Sequence, residues 1–316
     1  MLRRLLALSA ATLATSAGVA SAQHANFVLF GQPSSDSKLQ PAENKFVMPV
    51  TDPYFSENSF ITSDVRLGVM YQTYPGSLPF GTKRVVTRAK THLHGQKTAL
   101  TGAGIDHAMI YTGQVRLALT NEFQAVLYKA GYTDLGGQLT EADGWNDVGL
   151  GLKWNFLQDW GNNLHAAVGV GYESGIGDPS VFENDSEYRA WVSVDKGLGK
   201  LHLGGTFNVR FGEHDNTDSN LLSFHGHADY YLNKYVSPVV ELNYYTPFST
   251  TAGSAGTPAF ADLGNLDSSN KTLTIGTGLE VRPMENLGLR AAYEIPLYSK
   301  NDIYGWRVTF SAVYSF

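Results

Sequence analysis

Residues Tyr304 to Phe316 read YGWRVTFSAVYSF, and this stretch decides the fold. Apolar or aromatic side chains occupy every second position: Tyr304, Trp306, Val308, Phe310, Ala312, Tyr314 and Phe316. Successive side chains of a strand point to opposite faces, so the stretch predicts a strand with one apolar face and one mostly polar face. Soluble proteins rarely end on an exposed aromatic strand, whereas a transmembrane β-barrel needs a lipid-facing band with aromatic girdles.

The amino terminus predicts a cleaved signal peptide that covers residues 1–22. A positive start at Arg3-Arg4 precedes the short apolar stretch Leu5–Val19, and Ala20-Ser21-Ala22 fits a small-x-small cleavage site. The apolar stretch is too short and too rich in serine to span a bilayer well. We therefore expect Gln23 to be the first residue of the mature chain.

The composition supports a membrane β-protein and excludes several other classes. Charged residues make up 16% of the chain, below the roughly 25% of average soluble domains, and tyrosine, phenylalanine and glycine are abundant. Loss of Arg3-Arg4 with the signal changes the formal net charge from −6 to −8, which argues against nucleic-acid binding. The chain has no cysteine, which excludes disulfides, thiolate metal sites and cysteine nucleophiles.

Alternation of apolar and polar residues predicts an all-β protein, and no segment has the sustained 3.6-residue period of an amphipathic helix. After the signal, no stretch reaches the roughly 18–20 consecutive apolar residues that a membrane helix needs. We predict a transmembrane up-and-down antiparallel β-barrel over residues 62–316. Its twelve strands are expected at 62–73, 107–119, 123–133, 145–156, 163–173, 187–197, 200–211, 221–232, 235–246, 271–282, 287–297 and 303–316.

The predicted connections alternate in length along the chain. Short turns are expected at residues 120–122, 157–162, 198–199, 233–234 and 283–286. Long loops are expected at residues 74–106, 134–144, 174–186, 212–220 and 247–270, and the brief link 298–302 is the exception. Short turns on one rim and long loops on the other are typical of outer-membrane barrels, in which the short turns are periplasmic.

The two faces of the predicted strands differ in charge. Outward positions such as Val65, Leu67 and Val69 are uncharged, and one Arg or Lys there would cost roughly 2–4 kcal/mol at the bilayer midplane. The opposite parity carries the residues that we predict to line the lumen: Arg66, Arg116, Asp147, Lys153, Glu173, Arg189, Asp195, Arg210, His225, His227, Asp229, Glu241, Glu280, Arg282, Arg290, Glu294 and Arg307.

Three segments leave alternatives open. The strand at 123–133 does not fix its own parity, because Leu127 and Lys129 share a face. Residues 83–93 could form a strand above the membrane, or part of a further hairpin that would raise the strand number to fourteen. The N-terminal segment 23–61 has no strong periodicity, and it could lie in the periplasm or fill the lumen.

Few residues suggest site chemistry. His225, His227 and Asp229 share one face of one strand and are a weak candidate for a metal site, although a polar lumen lining explains them as well. An outer-membrane hydrolase would need a nucleophile beside such histidines, but no motif links a serine to them and G-x-S-x-G is absent. We therefore expect no enzyme, no catalytic residue and no cofactor.

Passive transport is the function that the lumen favours. Seven acidic and eight basic side chains nearly cancel at the predicted inward positions, so strong charge selectivity is not expected. A barrel of twelve strands is intermediate in width between eight-stranded barrels, whose interior is filled by side chains, and barrels of about sixteen strands, which hold an aqueous channel. This predicts a narrow passage for small solutes. The alternatives are a sealed barrel, a structural or surface-interaction barrel that acts through loops 74–106 and 247–270, and, third, an outer-membrane hydrolase.

Three segments also carry a family resemblance. Asp143–Lys153 (DGWNDVGLGLK) resembles a strand of a group of Gram-negative outer-membrane barrels, and so do Pro238–Tyr244 and Glu285–Leu297. Such proteins are labelled transporter-like, near the family named for the meta pathway of phenol degradation. The resemblance implies an outer-membrane location and uptake of small molecules, aromatic ones among them. It implies no catalytic residues.

The expected partners follow from this membrane location. The outer face should contact outer-membrane lipid and lipopolysaccharide, and no nucleic acid is expected. The resemblance further implies that Tyr314 and Phe316 form the signal that the barrel-assembly machinery reads. The identity of the solute is not predicted.

Overall fold

The computed structural model describes residue 43 and residues 45–73, 105–137, 141–178, 181, 186–213, 220–249, 271–300 and 305–316. The predicted signal peptide, the segment 83–93 and most of loops 74–106 and 247–270 lie outside these residues. Within the described ranges, no helix is long and apolar enough to cross a membrane.

The described residues form one sheet of thirteen strands. These are β1 (Asp64–Thr73), β2 (Ile105–Ala118), β3 (Phe123–Gly137), β4 (Glu141–Trp145), β5 (Val148–Asp159), β6 (Leu164–Ser174), β7 (Glu187–Leu198), β8 (Leu201–Gly212), β9 (Asn220–Tyr230), β10 (Val236–Ser249), β11 (Lys271–Met284), β12 (Leu287–Lys300) and β13 (Arg307–Ser315).

The sheet closes on itself as an antiparallel barrel. From β5 onward each strand pairs with the next along the chain, and β1 pairs with both β2 and β13. β4 and β5 both pair with β3, through residues 132–136 and 123–128 of that strand, so they are two pieces of one barrel strand. The predicted closed barrel of twelve strands is thereby confirmed.

The two rims of the barrel differ. We call the rim with the connections at residues 119–122, 160–163, 199–200, 231–235 and 285–286 the turn end, and the opposite rim the loop end. The carboxyl terminus lies at the turn end, where the amide of Phe316 donates to the carbonyl of Ser63 at 3.1 Å.

The long loop predicted at residues 134–144 is wrong. β3 continues to Gly137 and pairs with β4, so only residues 138–140 connect them. Side-chain contacts hold this hairpin: Tyr132 packs edge-on against Trp145 with ring centroids 5.3 Å apart, and its hydroxyl donates to Asp143. Glycines 136 and 137 interrupt the apolar alternation there, which is why the pattern indicated a loop.

A β-bulge resolves the parity of β3. Lys129 has a φ of 57°, and the register with β2 shifts between Gly113 and Val115. One extra residue reverses the faces of everything after it. Leu127 is therefore part of the outer face while Lys129 is 3% exposed and points into the lumen.

The outer face is apolar around the described wall. Leu67, Leu150, Val170, Leu289 and Phe310 are each between 45% and 63% exposed. Apolar exposure on this scale marks a surface that faces lipid, because soluble monomers rarely carry a contiguous apolar patch of such extent. The barrel is therefore embedded in a membrane.

Residues 45–63, the inner segment, lie inside the barrel. The segment begins at the turn end, where Lys45 donates to the carbonyl of Glu285 at 2.7 Å, and it returns there, where Ser63 accepts a hydrogen bond from the amide of Ala118 at 3.1 Å. Between these points it consists of a first arm (45–51), a tip (52–55) and a second arm (56–63). Its most buried apolar side chains at the tip, Tyr54 and Phe55, join the core cluster that includes Met70, Ile110, Tyr128, Leu135 and Val181.

Candidate functional site

The residues predicted to line the lumen are almost completely buried. None of them is more than 8% exposed, the value for His227. They lie on inward positions of the wall, and the inner segment covers many of them. The candidate site is therefore the contact between the barrel wall and the inner segment.

Some lumen charges pair within the wall. Glu294 accepts hydrogen bonds from Arg307 Nε and Nη2 at 3.0 and 2.7 Å. Glu280 forms ion pairs with both Arg282 and Arg290, the latter at 2.6 Å. The Glu294–Arg307 and Glu280–Arg290 pairs connect neighbouring strands. Glu280 and Arg282 lie on the same strand, and Arg282 also donates to the carbonyls of Lys45 and Phe46 at 3.5 and 3.4 Å.

Two other predicted acids connect different parts of the wall. Glu173 pairs with Lys129 at 2.6 Å, a contact that exists only because the bulge turns Lys129 inward. Asp147 lies between β4 and β5 and accepts a hydrogen bond from the amide of Gly177 at 2.7 Å. Asp147 therefore binds the connection that follows β6.

The first arm is bound by acids through its backbone. The carboxylate of Asp229 accepts a hydrogen bond from the amide of Val47 at 3.1 Å. Glu241 accepts hydrogen bonds from the amides of Val50 and Thr51 at 2.8 and 2.7 Å. It also accepts a hydrogen bond from the hydroxyl of Thr51. Because the donors are amides, this attachment depends on the wall more than on side chains of the arm.

The histidines of β9 are bound to protein groups. His227 contacts Glu241 through Nδ1 at 2.8 Å and Asp229 through Nε2 at 3.2 Å. His225 contacts Asn243 through Nδ1 and Ser223 through Nε2, both at 2.9 Å. The two rings therefore do not converge on one point, and the described residues contain no group of three or more such side chains arranged to hold a metal ion.

The tip lies beneath two arginines. Arg189 donates to the carbonyls of Tyr54 and Phe55 at 2.9 and 2.6 Å. The guanidinium carbon of Arg210 lies 4.0 Å from the centroid of the Phe55 ring, a cation–π geometry. Asp52 accepts a hydrogen bond from the hydroxyl of Tyr245, which fixes the opposite side of the tip.

The second arm is bound by cations, mainly through Glu57. Arg116 Nη2 donates to Glu57 Oε1, and Arg116 Nε donates to Oε2 at 3.2 Å, so the guanidinium grips the carboxylate with two nitrogens. Lys153 Nζ lies 4.0 Å from Oε2. All three side chains are fully buried.

The charge state of Glu57 follows from these neighbours. Glu57 lies on the inner segment rather than on a membrane-spanning strand. Burial raises the pKa of its carboxyl, but the charges of Arg116, Lys153 and Arg66 outweigh burial and hold the pKa below its ordinary value of 4.5. Glu57 is therefore ionised at neutral pH, and its ion pair with the wall is fully formed.

Backbone groups complete the attachment of the second arm. Lys153 donates to the carbonyls of Asn58 and Phe60 at 3.0 and 2.6 Å. Asp195 accepts hydrogen bonds from the amide and the hydroxyl of Ser59, each at 2.6 Å. Both Lys153 and Asp195 were predicted to face the lumen, and here they meet the same arm.

Sequence reasoning missed several residues of this site. Asp64, His202 and Asn243 share the parity of predicted inward residues on their own strands, so alternation could have found them. Glu57 and Asp52 lie on a segment without periodicity, and their partners are far away along the chain. No pattern in the sequence indicated these two.

Several solved structures of other proteins have a similar fold. The chain is similar to the crystal structure of an outer membrane channel from Pseudomonas putida F1, with a TM-score of 0.57, 13% identity, and coverage of 86% of this chain and 100% of that chain. It also matches a KdgM porin (TM-score 0.44, 12% identity, 79% and 99% covered) and LpxR from Salmonella typhimurium (TM-score 0.44, 11% identity, 80% and 100% covered).

These similarities have a limited meaning. At 13% identity the likeness to the Pseudomonas channel shows a shared fold alone, and the two weaker matches support no inference about this chain. No protein-family model matches the chain, and no curated protein matches it. The fold that these comparisons establish is an outer-membrane type of β-barrel.

Proposed function

We propose that this chain is a bacterial outer-membrane channel that passes small solutes passively through a narrow lumen, and that the inner segment closes this lumen until it is displaced. The observation that carries the proposal is the independence of the wall from the segment. Each of the twelve barrel strands pairs with its two neighbours, whereas residues 45–63 belong to no strand. Movement of the segment would therefore leave the hydrogen bonds of the barrel intact.

The type of contact supports a segment that can move. The two arms are bound to the wall largely by hydrogen bonds and ion pairs. The main apolar packing lies at the tip, and a smaller cluster joins Val47 and Val50 of the first arm to Val239 and Ala292. Water can replace a hydrogen-bond partner, so each such bond contributes only about 0.5–1.5 kcal/mol net, or about 1.5–3 kcal/mol when one partner is charged. The lumen that the segment vacates would be lined by charged and polar side chains and would fill with water.

The proposed solutes are small molecules, aromatic ones among them. This class rests on the resemblance of Asp143–Lys153 and Glu285–Leu297 to barrels near the family named for the meta pathway of phenol degradation. The surface-interaction hypothesis rests on loops 74–106 and 247–270, most of which lie outside the described residues. Passive transport therefore has the stronger structural support.

The proposal can be tested with a disulfide that locks the segment. A Cβ built on Gly276 would lie 3.3 Å from the Cβ of Thr51, close to the roughly 3.5–4.5 Å between Cβ atoms of a disulfide. The same added Cβ would clash with the Thr51 methyl group, which cysteine lacks. The natural chain contains no cysteine, so Thr51→Cys with Gly276→Cys can form only the intended bond within one chain.

Liposome swelling gives the readout. Wild type and the reduced double variant should admit small solutes, and the oxidised double variant should admit none. The single variant Thr51→Cys, treated with the same oxidant, is the control for oxidation itself. Equal swelling with the oxidised and reduced double variant would overturn closure by the segment, and no swelling with any protein, wild type included, would overturn the channel.

The proposed location also predicts how the barrel is assembled. Tyr314 is 48% exposed and Phe316 is 37% exposed, so both side chains are accessible at the turn end. We propose that the barrel-assembly machinery reads these two residues and that lipid and lipopolysaccharide surround the apolar outer face. Deletion of Phe316 should then lower the amount of barrel in the outer membrane while the conductance of each assembled barrel stays unchanged.

One observation favours hydrolysis as a second candidate function. Ser223 lies 2.9 Å from Nε2 of His225, and Asn243 Oδ1 lies 2.9 Å from Nδ1 of the same ring. The amide nitrogen of Asn243 donates to Thr51 and Glu294, each at 2.9 Å, which directs its oxygen to the histidine. This orders the groups as nucleophile, base and orienting group, as in a catalytic triad.

Access of a substrate to Ser223 distinguishes the hydrolase from the channel. Ser223, His225 and Asn243 are each at most 3% exposed, so a substrate reaches them only after the inner segment moves. A hydrolase predicts labelling of the wild type by a fluorophosphonate probe and loss of labelling in Ser223→Ala. Absence of labelling even in a barrel whose channel is open would eliminate this candidate.

A further inference from the structure

We propose that Arg116 and Lys153, with Arg66 beside them, form a carboxylate-binding site in the lumen, which Glu57 occupies when the channel is closed. The inference rests on the proposed function, since an external ligand can reach the site only when the inner segment moves. It adds a solute class to that function: small molecules that carry a carboxylate. Glu57 would then be an internal substitute for the solute.

The geometry of the site matches a carboxylate. The guanidinium of Arg116 presents Nε and Nη2 to the two oxygens of Glu57, and Lys153 approaches from another element. A planar fork of two N–H groups fits two oxygens on one carbon better than it fits a spherical anion. The site therefore favours a carboxylate over chloride.

The charges of the site require an anion. Arg66, Arg116 and Lys153 carry three positive charges, and the wall offers Asp64, which lies 2.9 Å from Arg66 and 3.8 Å from Arg116. Without Glu57, this group of four wall residues has two positive charges in excess. Removal of one partner from a buried ion pair is strongly destabilising, because the other charge remains uncompensated. An incoming carboxylate would restore the net charge of the closed state, in which Glu57 leaves one positive charge in excess.

Lys153 depends on the inner segment most strongly. Within the described residues, its ammonium donates hydrogen bonds to the carbonyls of Asn58 and Phe60, both on the second arm, and its nearest carboxylate is Glu57. Arg116, in contrast, also donates to Gln114 of the wall at 3.1 Å. When the arm withdraws, Lys153 loses these acceptors together and becomes available to a ligand.

Competition follows from this arrangement. A carboxylate solute and Glu57 cannot occupy the Arg116 fork together, so the solute binds only to the state in which the second arm has left. A ligand that binds one of two states increases the population of that state. Carboxylate solutes should therefore open the channel that they pass through.

Chemical rescue tests the site without transport. Glu57→Ala removes the carboxylate and leaves the space beside Arg116, so the purified barrel should unfold at a lower temperature than wild type. Sodium acetate should raise this temperature by about 2–4 °C with saturation, since about 1 kcal/mol corresponds to such a shift in a chain of this size. Sodium chloride and sodium phosphate at equal ionic strength should raise it less. The unfolding temperature of the wild type, whose own Glu57 competes for the site, should respond to acetate less than that of Glu57→Ala.

The outcomes separate the possible ligands. An equal effect of acetate and chloride on Glu57→Ala would overturn the carboxylate site, and an equal or larger effect of phosphate would overturn the carboxylate class. The double variant Glu57→Ala with Lys153→Met should respond less to acetate, because the second cation is missing. An undiminished response of the double variant would overturn the role of Lys153.

Conductance of the wild type decides the matter if Glu57→Ala does not fold. Benzoate and benzamide have the same ring and nearly the same size, but only benzoate carries a carboxylate. Benzoate should raise the open fraction of wild-type channels in planar bilayers, and benzamide should not. Channels that respond equally to both would overturn the site and leave the channel intact. A wild type without conductance steps would overturn the channel and, with it, the route by which a solute reaches the site.

Discussion

The two arms of the inner segment are bound to the same wall by largely opposite chemistry, with Asp195 at the second arm and Arg282 at the first arm as exceptions. The first arm offers backbone amides to the carboxylates of Asp229 and Glu241, and the second arm offers the carboxylate of Glu57 and several carbonyls to cations. Almost any sequence can supply amides, but only an acidic side chain can fill the Arg116 fork. The first arm is therefore controlled by residues of the wall, and the second arm is controlled by one residue of its own.

The largest expected effect is that of Glu57→Gln. The change leaves Arg116 and Lys153 buried without their carboxylate, which should weaken closure by about 3–5 kcal/mol. Because about 1.4 kcal/mol is a factor of ten, the ratio of open to closed channels should rise more than a hundredfold. Single-channel recording in planar bilayers measures this ratio.

The matched control is Glu285→Gln. Glu285 is exposed at the turn end, and the inner segment contacts its backbone carbonyl, which the substitution leaves in place. This variant should gate as the wild type does. If the Glu57→Gln channel remains closed as often as the control, Glu57 does not control the attachment of the second arm.

A smaller effect is expected from Glu241→Gln on the opposite wall. Hydrogen bonds to a charged group contribute about 1.5–3 kcal/mol, and Gln keeps one acceptor oxygen for the amides of Val50 and Thr51. The open-to-closed ratio should rise roughly tenfold to a hundredfold. If Glu241→Gln opens the channel more than Glu57→Gln does, the first arm is the stronger attachment and the comparison is reversed.

The smallest effect is the pH dependence. The pKa of Glu57 is held below 4.5, so its contribution to closure is complete at neutral pH and is lost as the pH falls through the pKa of the closed state. Wild-type channels should open more often when the pH drops below about 4.5. Glu57→Gln should lose this component, and an unchanged pH profile in that variant would assign the response to other groups.

The strands and their faces could be predicted because their information is local. A period of two residues determines which side chains face lipid, so alternation indicated both the wall and its charged interior. Lys129 shows the limit of the pattern, because one residue with positive φ reverses the parity of the following stretch. The β3–β4 hairpin was missed because Gly136 and Gly137 interrupt the alternation, while its pairing brings Tyr132 and Trp145 together across the strands.

The contacts of Glu57 could not be predicted from the sequence. The segment that carries it has no period, and its partners Arg116 and Lys153 lie on β2 and β5, far along the chain. Alternation placed both cations in the lumen but contained no information on what would neutralise them. The site thus forms between the inner segment, which has no sequence period, and strands whose two-residue period is regular.

Real-time release of the locked segment tests the central claim most directly. A planar bilayer receives the oxidised variant Thr51→Cys with Gly276→Cys, and reductant is added while the current is recorded. Closure by residues 45–63 should give a silent membrane before reduction and small, reproducible conductance steps after it. Steps of equal size and frequency before and after reduction would contradict closure of the channel by residues 45–63.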